Sequence, residues 1–134
     1  QTIGQAALRV WEQPGATILI HFLVKDEPSL GGWQSGLLTA AGKAKPAKRA
    51  FGLPLAQMSR HGTRTVLWGQ VRPGSGRRAY VIQRWTNRRW VNVGGVKRTG
   101  AGGTFRTAAR LPKGTKVRLR APSVAYASPL LVIA

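Results

Sequence analysis

No Asp or Glu occurs after residue 27 of this 134-residue chain, and that asymmetry constrains its folding more than any other single feature. Residues 1–55 carry 6 Lys and Arg against all 3 acids, a charge of +3, whereas residues 56–134 carry 16 Lys and Arg and no acid, a charge of +16. The chain divides near residue 58 into a half with long apolar runs and polar loops and a half that is a polycation built on strands.

The polycationic half alternates apolar stretches with turn signals. Thr63 to Val71 is followed by Arg72-Pro73-Gly74-Ser75-Gly76, Arg78 to Trp85 by a turn at Thr86-Asn87, and Arg89 to Val96 by Gly100-Ala101-Gly102-Gly103. Thr104 to Leu111, Thr115 to Arg120 and Pro129 to Ile133 complete the series, with Pro112-Lys113-Gly114 between the first two. Short strands punctuated this regularly predict an immunoglobulin-like sandwich, with Tyr80, Ile82, Trp90, Val93, Phe105, Val117 and Leu119 pointing inward. A stretch of that length is enough for a small sandwich to fold alone.

The first half reads differently. Ala7, Leu8 and Trp11 share one face of a short helix, which Pro14-Gly15 ends. Thr17 to Val24 (TILIHFLV) is apolar on both faces and bounded by Pro-Gly and Lys-Asp-Glu-Pro, a pattern that predicts a buried parallel strand. Trp33 to Leu38 and Gly42 to Phe51 follow, with Pro46 placed to open a last short helix. The longest apolar stretch, Ile18 to Val24, is interrupted by His21 and falls well short of the ~20 residues of a membrane helix. The absence of Cys excludes disulfides and thiolate sites and is compatible with export. The start at Gln1 reads as a processed or excised end.

The order of helix, apolar strand, loop, "SGLL" and "GKAKPAKRAF" resembles the end of the (β/α)8 barrel in the large clan of retaining glycoside hydrolases that includes cellulase-like and xylosidase-like families. The likeness covers roughly residues 1–55 and departs from the pattern at Ala41, where the family has Asp, and at Lys48, where Tyr is common. Residues 64–133, with "WGQVRP", "VIQR" and "LPKGTKVRLR", resemble the β domain appended to many secreted actinobacterial proteins that act on cell walls and polysaccharides. Together the resemblances imply a mixed fold: residues 1–58 as the last βα unit of a TIM barrel, needing the rest of the barrel, and residues 59–134 as an all-β immunoglobulin-like sandwich. They also imply a companion chain carrying the earlier barrel strands, and a secreted or cell-wall-associated location.

In such barrels the active-site groups lie at the carboxyl ends of the strands. Here that end holds Asp26 and Glu27, with Trp33 in the loop beyond. Retaining hydrolysis needs two carboxyl groups about 5 to 5.5 Å apart across the scissile bond. Neighbours on an extended chain point to opposite faces, so Asp26 and Glu27 are not that pair, and the chain has no catalytic residue of its own. Asp26 reads equally as a salt-bridging carboxylate and as a hydrogen-bonder to substrate. Glu27, before Pro28, reads first as structural. Trp33 is either a platform for a sugar ring or packing for its loop, and His21 reads as a hydrogen-bonded interior residue.

Arg64, Arg72, Arg84, Arg106, Arg110, Arg118 and Arg120 are expected on the outside of the strands, with Trp68 and Trp85 interleaved. Basic faces with aromatics suit nucleic acid, where phosphates take Arg and bases stack on indoles, and equally suit an anionic wall polymer. No helix-turn-helix, zinc-finger, cold-shock or RNP-type motif is present, so nucleic acid ranks below glycan and would bind nonspecifically. With no Cys and two His 40 residues apart, neither a metal site nor a cofactor motif is legible. The resulting expectation is the C-terminal part of a secreted glycoside hydrolase that completes a sugar cleft and attaches to a polysaccharide or anionic polymer through Asp26, Trp33, Glu27 and Trp85. Its alternative is a non-catalytic basic binding module for an anionic cell-wall polymer or nucleic acid.

Overall fold

A computed structural model describes residues 3–134. The chain begins with helix α1 (Ile3–Glu12), runs without regular structure to helix α2 (Pro46–Gly52), and then turns wholly to strands. These are β1 (Leu55–His61), β2 (Arg64–Gln70), β3 (Ala79–Thr86), β4 (Arg89–Asn92), β5 (Lys97–Arg98), β6 (Thr104–Arg110), β7 (Lys116–Arg120) and β8 (Leu131–Val132). One antiparallel sheet has the order β1-β2-β6; the other has β4-β3-β7-β8, with β5 also paired to β3.

Alternation explains the core. Leu67 of β2, Tyr80 and Ile82 of β3, Phe105 of β6, and Val117 and Leu119 of β7 bury their side chains in one cluster with Leu53, Leu55, Val71, Leu111 and Ile133. Successive strand residues face opposite sides, so the neighbours of these residues are turned away from that cluster. Gly69 sits opposite Phe105, where a Cβ would come within 2.5 Å of the Phe105 ring; its absence lets that ring stack on Tyr80 at 3.8 Å.

The first sheet is buried on its other face too. Ala7 and Leu8 of α1 pack on Ala56 of β1 and Trp68 of β2, forming a second cluster. Gly4 makes the close approach possible, since a Cβ there would lie 2.5 Å from the Leu55 carbonyl oxygen. Trp68, expected among the outward residues, is therefore only 1% exposed, and its partner across the sheet is Arg106.

The mixed fold class expected above, the last βα unit of a TIM barrel followed by an immunoglobulin-like sandwich, does not hold, and the resemblance to a glycoside-hydrolase barrel end falls with it. The described residues instead form two antiparallel sheets with two short helices. Residues 17–24 form no ladder: Ile18, Ile20, Phe22 and Val24 are exposed while Leu19, His21 and Leu23 are half-buried. A parallel strand of a barrel is covered on both faces and paired on both edges, and this segment is neither. The parallel contact that does occur is an isolated bridge, Lys25 to Leu38. α1 covers no parallel strand but the outer face of an antiparallel sheet, a layer that a two-sheet immunoglobulin sandwich lacks. β1, which had no strand signal in LAQMSRH, extends across the 58/59 boundary. Among the described residues no helix is long and apolar enough to cross a membrane.

Candidate polymer-binding face

The four residues expected at the substrate fall in two places. Asp26 is buried, and its carboxylate accepts hydrogen bonds from Lys45 Nζ at 2.9 and 3.0 Å and from the Gly36 backbone N–H at 2.8 Å. The same ammonium donates to the Gln34 carbonyl at 2.7 Å, so one ion pair ties three points of the 26–45 loop together. Both carboxylate oxygens of Asp26 have a partner within the chain. Glu27 accepts the Trp33 backbone N–H through Oε2 at 3.3 Å and shapes the same loop. Trp33 is 63% exposed, with its ring edge-on to Phe22 at 5.7 Å. His21 hydrogen-bonds the Ser35 carbonyl at 2.8 Å and lies against Phe51.

Trp85 lies apart from these, on the outer face of the second sheet. Asn87 and Arg88 adopt φ of 47° and 58°, a two-residue left-handed turn that joins β3 to β4 and pairs Thr86 with Arg89. Counting back from that turn sets Trp85 directly opposite Trp90 and Gln83 opposite Asn92. β7 continues the face on the other side, with Arg118 opposite Gln83 and Arg120 opposite Val81. The result is a flat surface of Trp85, Trp90, Gln83, Asn92, Arg118 and Arg120.

Its side chains hold one another in place. The Arg118 guanidinium lies 4.2 Å over the Trp90 ring and donates through Nε to Gln83 Oε1 at 2.8 Å. Gln83 Nε2 in turn donates to Asn92 Oδ1 at 2.9 Å. The Trp85 and Trp90 rings meet edge to face at 5.3 Å, leaving Trp85 42% exposed. Arg118 titrates below the usual arginine range, through partial burial first and the nearby Arg120 charge second. An open groove of about 490 Å3 runs along the edge at Arg89, Trp90, Val91 and Asn92.

Trp90 was expected in the core, but the turn register puts it on the outer face, where the Arg118 stack leaves it half-buried. Arg84 shares the inner parity of β3, opposite Val117, the last residue pair of the β3–β7 ladder, and is exposed. Arg72 is half-buried against Phe51. Arg118 lies outside as expected, whereas Gln83, Trp90 and Asn92 escaped sequence reasoning, although all three follow from the two-residue turn. Among the described residues no cluster of His, Asp or Glu is fit to hold a metal ion. No protein-family model matches the chain, and no curated protein or solved structure is significantly similar to it.

Proposed function

We propose that the chain is a non-catalytic binding module that holds an anionic polysaccharide, of the kind found in cell walls, on the outer face of its second sheet. The observation that carries this reading is the Trp85–Trp90–Arg118–Gln83–Asn92 arrangement, an exposed indole beside a guanidinium and two amides whose positions are fixed by mutual hydrogen bonds. An indole face takes the apolar face of a sugar ring, amides match hydroxyls that both donate and accept, and guanidinium binds carboxylate or phosphate bidentately. The net charge of +19 adds long-range attraction to any polyanion. Of the chain's 3 acids, Asp26 is consumed by Lys45 and Glu12 faces Arg9, which supports binding over hydrolysis.

The decisive measurement is retention on an insoluble acidic polysaccharide and on duplex DNA at low and high salt, for the native protein and for Trp85→Ala and Arg118→Ala. Binding to polysaccharide persists in part at high salt and weakens in both variants, because stacking is not screened. Retention on DNA alone, abolished by salt and indifferent to both substitutions, leaves only counterion release and sinks the reading.

A companion polypeptide belongs to a second reading, favoured by the exposed side chains of Ile18, Ile20, Phe22 and Val24 on a segment outside every strand ladder. Exposed apolar side chains on a segment with few main-chain partners suit strand addition by another chain over residues 17–22, before the left-handed Leu23 (φ 68°). Ile20 is 81% exposed, so Ile20→Lys leaves the fold intact and abolishes any such association in sedimentation measurements.

A further inference from the structure

Between α1, residues 16–19 and the outer side of the first sheet lies a cavity of about 310 Å3, on the far side of the molecule's first sheet from the apolar core. Its walls are apolar at Ala7, Val10, Ile18 and Leu19, and it is flanked by two indoles, Trp11 and Trp68, whose rings stand 5.9 Å apart and tilted by 43°. Its polar end is formed by Gln70, Arg72 and Thr104.

Two features of that lining are unfinished within the chain. Trp68 Nε1 is buried and donates to nothing among the described residues. A buried N–H without an acceptor costs roughly 1 to 3 kcal/mol, which makes such groups rare unless something else accepts the bond. Arg72 is a half-buried cation without an acid: the ion pairs among the described residues are Arg9–Glu12 and Lys45–Asp26, and no Asp or Glu follows residue 27. Burial lowers its affinity for the proton. Cations taken out of water are held by anions.

The guanidinium is also rigidly placed. It lies 4.1 Å over the Phe51 ring, donates through Nη1 to the Phe51 carbonyl at 3.0 Å and through Nε to Gln70 Oε1 at 2.9 Å. Gln70 is itself anchored by the Gly102 carbonyl at 3.1 Å. With Nε and Nη1 engaged, Nη2 makes no hydrogen bond among the described residues. A planar donor fixed on one side and free on the other is preorganised for a carboxylate, because little side-chain entropy is left to lose on binding.

We infer that this cavity binds a small carboxylate with a flat apolar body: the acid group at Arg72 and the ring between Trp11, Trp68 and the aliphatic wall. The size fits, since roughly 150 Å3 suffices to hold a benzene ring and the remainder leaves room for the acid group. The inference is independent of the polymer-binding face, which involves none of these residues.

Benzoate, acetate and benzyl alcohol separate the contributions: the first has both charge and ring, the second the charge, the third the ring. Each is titrated into the 15N-labelled full chain while the indole N–H resonances are followed by NMR. Benzoate shifts the Trp11 and Trp68 resonances saturably, with a Kd on the order of 1 mM or tighter, and both controls bind at least ~10-fold more weakly. Arg72→Gln weakens benzoate roughly 10- to 100-fold, the range expected for a lost charge-assisted hydrogen bond. Trp11→Ala, at a residue 46% exposed and so safe for the fold, weakens benzoate but leaves acetate unchanged. The inference is overturned if benzoate leaves the Trp68 resonance unmoved, if all three probes bind alike, or if folded Arg72→Gln protein binds benzoate as the native chain does. Should Arg72→Gln fail to fold, equal benzoate binding by Trp11→Ala and the native chain overturns it instead.

Discussion

Removing the Asp26 carboxylate tests whether that residue is structural, as its surroundings indicate, or reserved for a ligand. Asp26→Asn keeps an oxygen for the Gly36 N–H but discards the charge that Lys45 meets at 2.9 and 3.0 Å. Breaking a fully buried pair from one side costs roughly 3 to 5 kcal/mol, because the abandoned charge stays in low dielectric. Here the Lys45 side chain is 26% exposed, so its ammonium regains part of its hydration and the cost falls to about 1.5 kcal/mol. Asp26→Ala also strands the Gly36 N–H beneath the loop, which raises the cost to about 3 kcal/mol. These energies act first on the loop, not on the sheets, since the clamp joins residues 26, 34, 36 and 45 alone. Amide hydrogen exchange is therefore the assay: protection of Gly36 and Lys45 drops roughly 10-fold in Asp26→Asn and roughly 100-fold in Asp26→Ala, while β2 and β6 amides keep theirs. Unchanged Gly36 protection in Asp26→Ala refutes the clamp and returns Asp26 to the pool of ligand-binding groups.

Two further outcomes distinguish the core from the outer face and locate a pH dependence. Phe105→Ala removes a ring stacked on Tyr80 in the buried cluster and costs about 3 to 5 kcal/mol, whereas Trp90→Ala, on the outer face, costs roughly 1 to 2; chemical denaturation of both variants ranks them, and equal losses contradict the assignment of faces. Tyr80 has its hydroxyl pushed above the ordinary value of 10.0, by burial first and against an opposing hydrogen bond to Thr107. The folded state thus holds the phenolic proton where the unfolded chain has released it, so this contribution to stability is complete below pH 10.0 and is lost as pH rises through the folded value. Melting temperature falls more steeply above pH 10.0 in the native protein than in Tyr80→Phe, and parallel curves count against that origin.

Much of the strand half was legible because its determinants are local. Alternation in Thr63 to Val71, Arg78 to Trp85, Thr104 to Leu111 and Thr115 to Arg120 anticipates β2, β3, β6 and β7, and five of the seven residues expected inward are buried while Val93 packs partly against them. The proline at residue 46 opens α2 as its missing N–H and fixed φ favour. Of the candidate polymer-binding face, Trp85, Arg118 and Arg120 were legible as outward residues, while Gln83, Trp90 and Asn92 were not. Trp90 joins it because a two-residue turn sets Trp90 opposite an odd-numbered residue of β3, here Trp85, on the side away from the buried Tyr80 and Ile82.

What the sequence determined by itself is the polycationic charge, the period of the strands and, to within a residue, the position of their turns, since each of these acts over a few neighbouring residues. Tertiary structure alone decided which apolar surfaces are covered. Trp68 and Arg106 pair across strands 38 residues apart in sequence, and α1 returns over that same face from the start of the chain, so nothing near Trp68 in sequence reveals its burial. TILIHFLV carries the local pattern of a buried strand, but pairing is a property of what lies beside a segment, and among the described residues the segment 17–24 has no strand beside it.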